Sequence, residues 1–423
     1  MNEDSFYENL DNFLKHIESI RDNFPLMLIL IKPYQKKAQE DISIFLEAHV
    51  NKTEDENWEL KMEFKPWEYR KFRTILSNYQ SSNLSSKIIP NSLFVSLISQ
   101  YDSFLHQLLR TIYAVRPEIL NWSWRSFNYS ELVKVWSLER AKDYMIDQEI
   151  ESVLRNSHSD HFKYLENKLW VKLRSNLPIW NTFIEITERR NLLVHCDWIV
   201  WSQYIKVCSE NWGLIKNIKI WDKLDITDKY FNNSYTCLFE IAVKLTHTLL
   251  RMMLPNEIKS ADENLNMICY DLMLNEEYEL SDIILDFAVK QKKHYNEVYK
   301  NMFIVNYALS KYLQKDYNAA KDILKDKDWS SLSDNFKLAY EVLTENYDKV
   351  YSLMKKIGNN WDIKKEEYKE WPLFKIIRNE TKFKKVFLEI FKEDYKIAEI
   401  PKKPILELLE KETRKKAITA RKK

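Results

Sequence analysis

Two glycines in 423 residues constrain the fold of this chain more than any other feature. β-Hairpins, Rossmann crossovers and phosphate-binding loops need backbone positions with positive φ, which glycine occupies without steric cost. Long helices joined by polar turns need few. The expected class is therefore all-α, and glycine-rich phosphate cradles are excluded. Hydrophobic residues at 45% and charged residues at 30% are ordinary for a globular protein, so the helices have apolar faces to bury. The length exceeds one comfortable core and predicts two domains.

The formal net charge is only +2, from 65 basic and 63 acidic residues. Any nucleic-acid contact must therefore come from a local patch, not from the global field. Cys196, Cys208, Cys237 and Cys269 are far apart and form no C-x-x-C. That favours reduced thiols in a cytoplasmic protein over disulfides or a zinc site. No signal-peptide pattern stands at the start. The apolar run between Pro25 and Pro33 is too short to span a bilayer, so no membrane partner is expected.

Residues 4–50 read as two helices interrupted near Pro25 and Pro33, 51–65 as a polar loop, and 66–83 as a helix ending at Ser81-Ser82-Asn83. Beyond Pro90, apolar residues at 94, 97, 98, 101, 104, 105, 108, 109 and 112 follow i, i+3, i+4, i+7 and predict a strong helix closed by Pro117. A helix near 130–155 follows, then a polar turn at 156–160; His158-Ser-Asp-His161 there could ligate a metal, but two histidines in a polar turn read first as solvent-exposed. Another helix runs from Pro178 to about residue 196. Residues 198–208 and 215–221 are rich in β-branched and aromatic types and predict a small β-hairpin excursion. Asp225-Ile-Thr-Asp228 caps a helix over 228–254 that stops at Pro255.

From about 262, helix pairs recur at roughly thirty-odd residues, at 265–290, 306–324 and 336–354. With Ala319 and Ala320 as small residues of a second helix, they resemble tetratricopeptide units and predict an α-solenoid of about three pairs. The expected organisation is an N-terminal helical extension (1–84), a helical bundle (85–258), a helical-repeat domain (262–400) and a basic tail (401–423). The tail holds nine basic and three acidic residues, hence +6, and reads first as a solvated helix and second as an RNA-touching arm.

The stretch that carries chemistry is Glu188-Arg189-Arg190-Asn191-Leu192-Leu193-Val194-His195, at the end of the helix after Pro178. Asn191 and His195 are i, i+4 on one face, and Glu188 shares it. Arg190 is offset from His195 by about 140°, within reach of its long side chain. RNA self-cleavage needs a base for the 2′-OH, an acid for the 5′-oxygen and positive charge on the phosphorane oxygens. Histidine as a residue type titrates near neutrality, so His195 can be either acid or base. Arg190 offers a planar, permanently charged fork for phosphate. Asn191 can orient the imidazole or bind a phosphate oxygen. No metal or other cofactor is required. Asp102 either hydrogen-bonds within the bundle or orients Arg190 across the core. Glu188 is a site residue or a solvated one. The aromatic excess reads as packing, with Trp198, Trp201 and Tyr204 as possible stacking platforms for single-stranded RNA.

Arg190-Asn191-Leu-Leu-Val-His195 at a helix end resembles the signature of the HEPN superfamily (higher eukaryotes and prokaryotes nucleotide-binding): Arg, four to six residues, then His. Ser99-Gln-Tyr-Asp-Ser-Phe104 upstream and Thr227-Asp-Lys-Tyr230 at the start of the last bundle helix resemble one group of its members. The resemblance covers about 85–255. It implies a four- to five-helix domain that dimerises, two Arg/His pairs in one cleft, and metal-independent cleavage of RNA in bacterial defence, toxin or abortive-infection systems. Cys196-Asp197-Trp198 stands where members often carry Asn/Asp-Gly. Asp197 stands where members neutralised by AMP transfer carry Tyr. The expected function is an endoribonuclease giving 2′,3′-cyclic phosphate and 5′-OH ends, completed by homodimerisation. The C-terminal repeats would gate it or bind a protein or phage-derived trigger. The alternative is a non-catalytic HEPN-like scaffold that dimerises and binds a nucleotide or a partner.

Overall fold

A computed structural model describes residues 4–49, 65, 67–122, 137–175, 177–211, 217–359 and 363–397. Every regular element among them is a helix, and the extended backbone is one antiparallel bridge, Ile199 to Lys223. The expectations for the loop at 51–64, for 123–136, for Trp212-Gly213 and for the basic tail lie outside the described residues. No described helix is long and apolar enough to cross a membrane. Two compact units divide the described chain, one over 8–239 and one over 240–397 with residues 4–7.

The first unit contains α1 (Asp4–His49) from residue 8 on, α2 (Tyr69–Val115), a 3-10 turn (Pro117–Trp122), α3 (Leu138–Leu154), α4 (His158–Leu169), α5 (Trp180–His195), α6 (Ser202–Glu210) and the start of α7 (Asp228–Met253). Breaks were expected at Pro25, Pro33, Ser81-Ser82-Asn83 and Pro90; α1 and α2 run through all of them. The reason is burial. Leu10, Phe13, Ile17, Phe24, Ile31, Ala38, Ile42 and Phe45 form one buried stripe at helical spacing across both prolines of α1. An interior proline costs about 3 kcal/mol. Each large apolar side chain buried contributes about 1.5–3 kcal/mol, so the stripe outweighs it. In α2 the hydroxyls of Ser82, Ser85 and Ser86 donate to helix carbonyls three or four residues back, which keeps these polar residues inside the helix. The apolar face read from 94 to 112 is buried at all nine positions. Phe13 meets Phe104 at 4.8 Å and Phe24 stacks on Phe231 at 4.0 Å, which seats α1 on α2 and α7.

The β-hairpin expected over 198–208 and 215–221 is not seen among the described residues, which include 198–208 and 217–221. Residues 202–210 are α6, which buries the i, i+4 pair Tyr204 and Cys208 with Leu192 and Val200. Aromatic and β-branched residues favour strands only where a pleated surface receives them, and here the end of α5 receives one helical face. A short antiparallel pairing of 198–200 with 221–224 remains. Val200 N–H donates to Asp222 O at 2.9 Å, Trp221 N–H to Val200 O at 3.0 Å, and Leu224 N–H to Trp198 O at 3.2 Å.

The second unit contains α8 (Ile258–Leu274), α9 (Tyr278–Val289), α10 (Glu297–Leu313), α11 (Tyr317–Leu324), α12 (Asp334–Leu343), α13 (Tyr347–Ile357), α14 (Lys365–Glu370) and α15 (Thr381–Phe391). α8/α9, α10/α11 and α12/α13 are helix pairs at the three expected places. One turn design joins all three. Glu276, Lys315 and Glu345 sit just past the first helix of each pair with φ of 62°, 68° and 64°. Glu276 N–H donates to Met273 O, and Glu277 N–H to Leu272 O. Lys315 and Asp316 repeat this onto Tyr312 and Lys311, and Glu345 and Asn346 onto Val342 and Glu341.

That is the Schellman helix stop, whose left-handed position usually belongs to glycine. Here residues with a Cβ occupy it, at about 1 kcal/mol each. The chain thus turns without glycine by straining the backbone. Gly358 is kept where φ is 59° and ψ −135°, close to a region that only glycine enters. Lys315 makes no ion pair among the described residues. We expect Lys315→Gly to raise the stability of this unit by about 0.5–1 kcal/mol, read as a higher urea midpoint. A lower midpoint would show that the lysine side chain, not the backbone, governs the turn.

Candidate functional site

α5 buries Trp180, Phe183, Ile184, Ile186 and Thr187. Phe183 meets Tyr101 of α2 at 5.0 Å and Phe162 of α4 at 5.7 Å, so three helices fix the axis of α5. Its two adjacent arginines part company. The Arg189 side chain is 11% exposed; its Nε donates to Glu185 at 2.8 Å and its guanidinium lies 3.9 Å over the Tyr230 ring. Glu185 also accepts the hydroxyls of Tyr204 and Tyr230, each at 2.6 Å. The Arg190 side chain is 26% exposed and sits at the rim.

Arg190 Nη1 donates to Asn191 Oδ1 at 3.2 Å, and its Nη2 lies 3.6 Å from Asp102 Oδ2. The other Asp102 oxygen meets His158 Nε2 at 2.8 Å. Asn191 Nδ2 donates to Glu188 Oε1 at 3.4 Å. Burial raises the Glu188 carboxyl above the usual range, opposed by the nearby His158 and the Asn191 hydrogen bond. Glu188, Asn191, Arg190, Asp102 and His158 thus form one connected chain of polar contacts across α5, α2 and α4. His195 ends α5 and is exposed, as is Val194 before it.

Two expectations are corrected. Tyr204 is 1% exposed and its hydroxyl is committed to Glu185, so it offers no stacking platform. Trp198 is half-buried, while Trp201 is exposed. Asp197 and Trp198 both have positive φ, 46° and 66°, and so reverse the chain just after α5 without a glycine. His158 and His161 are buried rather than solvent-exposed. Ser157 is the helix cap: its Oγ accepts the Asp160 N–H at 3.2 Å, so His158 opens α4 and His161 follows one turn on. The spacing Ser157-x-x-Asp160 was the available signal for that start, and Phe162 and Leu165, each four residues after one of the histidines, mark the buried face they share. No group of three or more His, Cys, Asp or Glu is placed to hold a metal among the described residues.

Burial, and next the neighbouring His158, push the His161 imidazole down to about 4 from 6.5, while Asp102 and the backbone at Asn156 and Leu154 oppose this. Between those values the unfolded chain takes a proton and the folded chain does not. Stability present above pH 6.5 is therefore lost as pH falls toward 4. We expect wild type to lose about 2 kcal/mol more than His161→Leu between pH 7 and pH 5 in urea unfolding. Parallel losses would show that His161 is not the group responsible.

No protein-family model, curated protein or solved structure matches the chain. Its function is therefore read from side-chain chemistry.

Proposed function

We propose that this chain is a metal-independent, HEPN-type endoribonuclease that acts as a homodimer in a bacterial defence or toxin system. The observation that carries this reading is the divergence of Arg189 and Arg190. Arg189 is locked in the core, whereas Arg190 is held at the rim by Asp102 and Asn191, a little over one turn from the exposed His195. A guanidinium already held on two sides loses little freedom when it meets a phosphate. The 2′-oxygen attacks phosphorus as a histidine takes its proton. The P–O5′ bond then breaks as a second histidine protonates the leaving oxygen. Arg190 steadies the charge on the phosphorane. The products are a 2′,3′-cyclic phosphate and a 5′-OH. One copy presents one such histidine, so His195 of a second copy supplies the other. The helix pairs from 258 to 357 gate this activity or hold its trigger.

The test is total RNA incubated in EDTA with wild type, Arg190→Ala and His195→Ala. Wild type should release fragments ending in cyclic phosphate, and both variants should not. Equal cleavage by all three would sink the site assignment. Absence of cleavage by wild type, with no growth defect on expression that His195→Ala relieves, would favour the non-catalytic scaffold.

A further inference from the structure

The loop after α11 and the helices α12 and α13 surround a cavity of about 560 Å³, within the size range of small-molecule sites. Its wall holds four lysines, Lys327, Lys337, Lys349 and Lys356, against the acids Asp328 and Glu341. Lys349 and Lys356 are seven residues apart on α13 and share one face. Their side chains are each 65% exposed, so their charges stand at the mouth.

Every one of the four has a carboxylate neighbour. Lys349 is 3.2 Å from Glu341, Lys356 2.7 Å and Lys337 3.7 Å from Asp334, and Lys327 3.4 Å from Glu297. The Lys349 and Lys356 heads are exposed, so their pairs are each worth little and yield to a denser anion, whereas Lys327 and Lys337 are mostly buried and Lys327 also donates to Asn301. A phosphate brings more than one negative charge and several acceptor oxygens to a single point. A second cavity in the same unit, about 370 Å³, has Glu367 and no lysine or arginine among its described lining residues. The lysine-rich wall is thus a local property of this cavity.

The cavity also has aromatic lining. Trp329 is 3% exposed and fixed by its indole N–H, which donates to Leu324 O at 2.7 Å. Tyr340 lies nearly parallel to it, at 16° and 6.1 Å between ring centres. A rigid aromatic pair beside four ammonium groups suits a ligand that joins a flat ring to phosphate. We propose that this cavity binds a nucleotide, with its phosphates against the lysines and its base on Tyr340. The site lies wholly within the second unit, and its test reads binding rather than RNA cleavage, so it stands or falls apart from the nuclease reading.

The experiment is calorimetric titration of the full chain with ATP, GTP, CTP and UTP in turn. Inorganic tripolyphosphate, adenosine and a phosphoserine peptide form separate arms. At least one nucleotide should bind below millimolar concentration. Tripolyphosphate, adenosine and the peptide should each bind about tenfold more weakly or worse. Lys349→Ala/Lys356→Ala should weaken the nucleotide by about tenfold or more. Both lysines are exposed, so the double variant should melt like wild type without ligand. No binding of any of the four nucleotides, or equal binding by the double variant, would overturn the proposal. So would tripolyphosphate or the phosphopeptide matching the best nucleotide, since either would make this a phosphate site without a base.

Discussion

Arg190→Ala should lower RNA cleavage by about 100- to 1000-fold, the usual cost of removing one preorganised group from a developing oxyanion. His195→Ala should lower it by about 100- to 10,000-fold, the range of one general acid or base. Neither should unfold the protein, because His195 is exposed and Arg190 is only partly buried. Arg190→Lys keeps the charge but loses the planar fork, and with it the paired hold on Asn191 and Asp102. It should therefore recover only part of the loss. Asp102→Asn leaves Arg190 charged and removes the carboxylate that aims it, so a loss of about tenfold, in kcat more than in KM, is expected. Single-turnover rates on one defined RNA would order these variants. If Arg190→Lys cleaved like wild type, the guanidinium fork would not be what the phosphate meets.

That order depends on knowing which arginine faces which way, and the sequence held part of the answer. Arg189 is three residues after Ile186 and four after Glu185, so it shares a face with a buried residue and an acid of opposite charge. Arg190 is four residues after Ile186, so helical spacing alone does not part the two arginines, and only the acid at Glu185 marks Arg189 as the paired one. Apolar spacing likewise exposed the inner face of α2, because a 3.6-residue period is written into the residues themselves. Proline and serine misled for the converse reason. Their local rules act on isolated backbone, whereas Pro25, Pro33 and Pro90 lie on helices whose buried faces run past them. Nothing near Asp102 in the sequence points to His158, which is 56 residues away and arrives through the packing of α4. The same limit hid α6: Tyr204 and Cys208 pack on Leu192, and the Tyr204 hydroxyl reaches Glu185, 19 residues earlier. Glycine scarcity pointed to helices, yet it gave no sign that Glu276, Lys315 and Glu345 would bear the left-handed turns.

Glu185→Ala is expected to cost about 3–5 kcal/mol of stability, far more than any substitution at Arg190 or His195. Three donors converge on this one carboxylate: Arg189 Nε, the Tyr204 hydroxyl and the Tyr230 hydroxyl. Removing it strands a guanidinium that is 11% exposed and leaves two phenols without an acceptor. Burial, before any neighbouring charge, holds the Tyr204 and Tyr230 phenols well above their ordinary range, so neither can ionise to compensate. Tyr204→Phe or Tyr230→Phe should cost only about 1 kcal/mol each, because the carboxylate keeps its other donors. The pairing itself need not be the stabilising element. Replacing both charges, as in Glu185→Leu/Arg189→Met, should restore most of the loss, since a well-packed apolar pair avoids the desolvation of two ions. What the apolar pair cannot restore is direction. Glu185 ties α5 to Tyr204 on α6 and Tyr230 on α7, and these ties fix the end of α5 that carries Arg190 and His195. The double variant should therefore melt near wild type and still cleave RNA more slowly. If it regained stability and full activity together, the buried network would serve folding alone, and the aim of Arg190 would rest on Asp102 and Asn191.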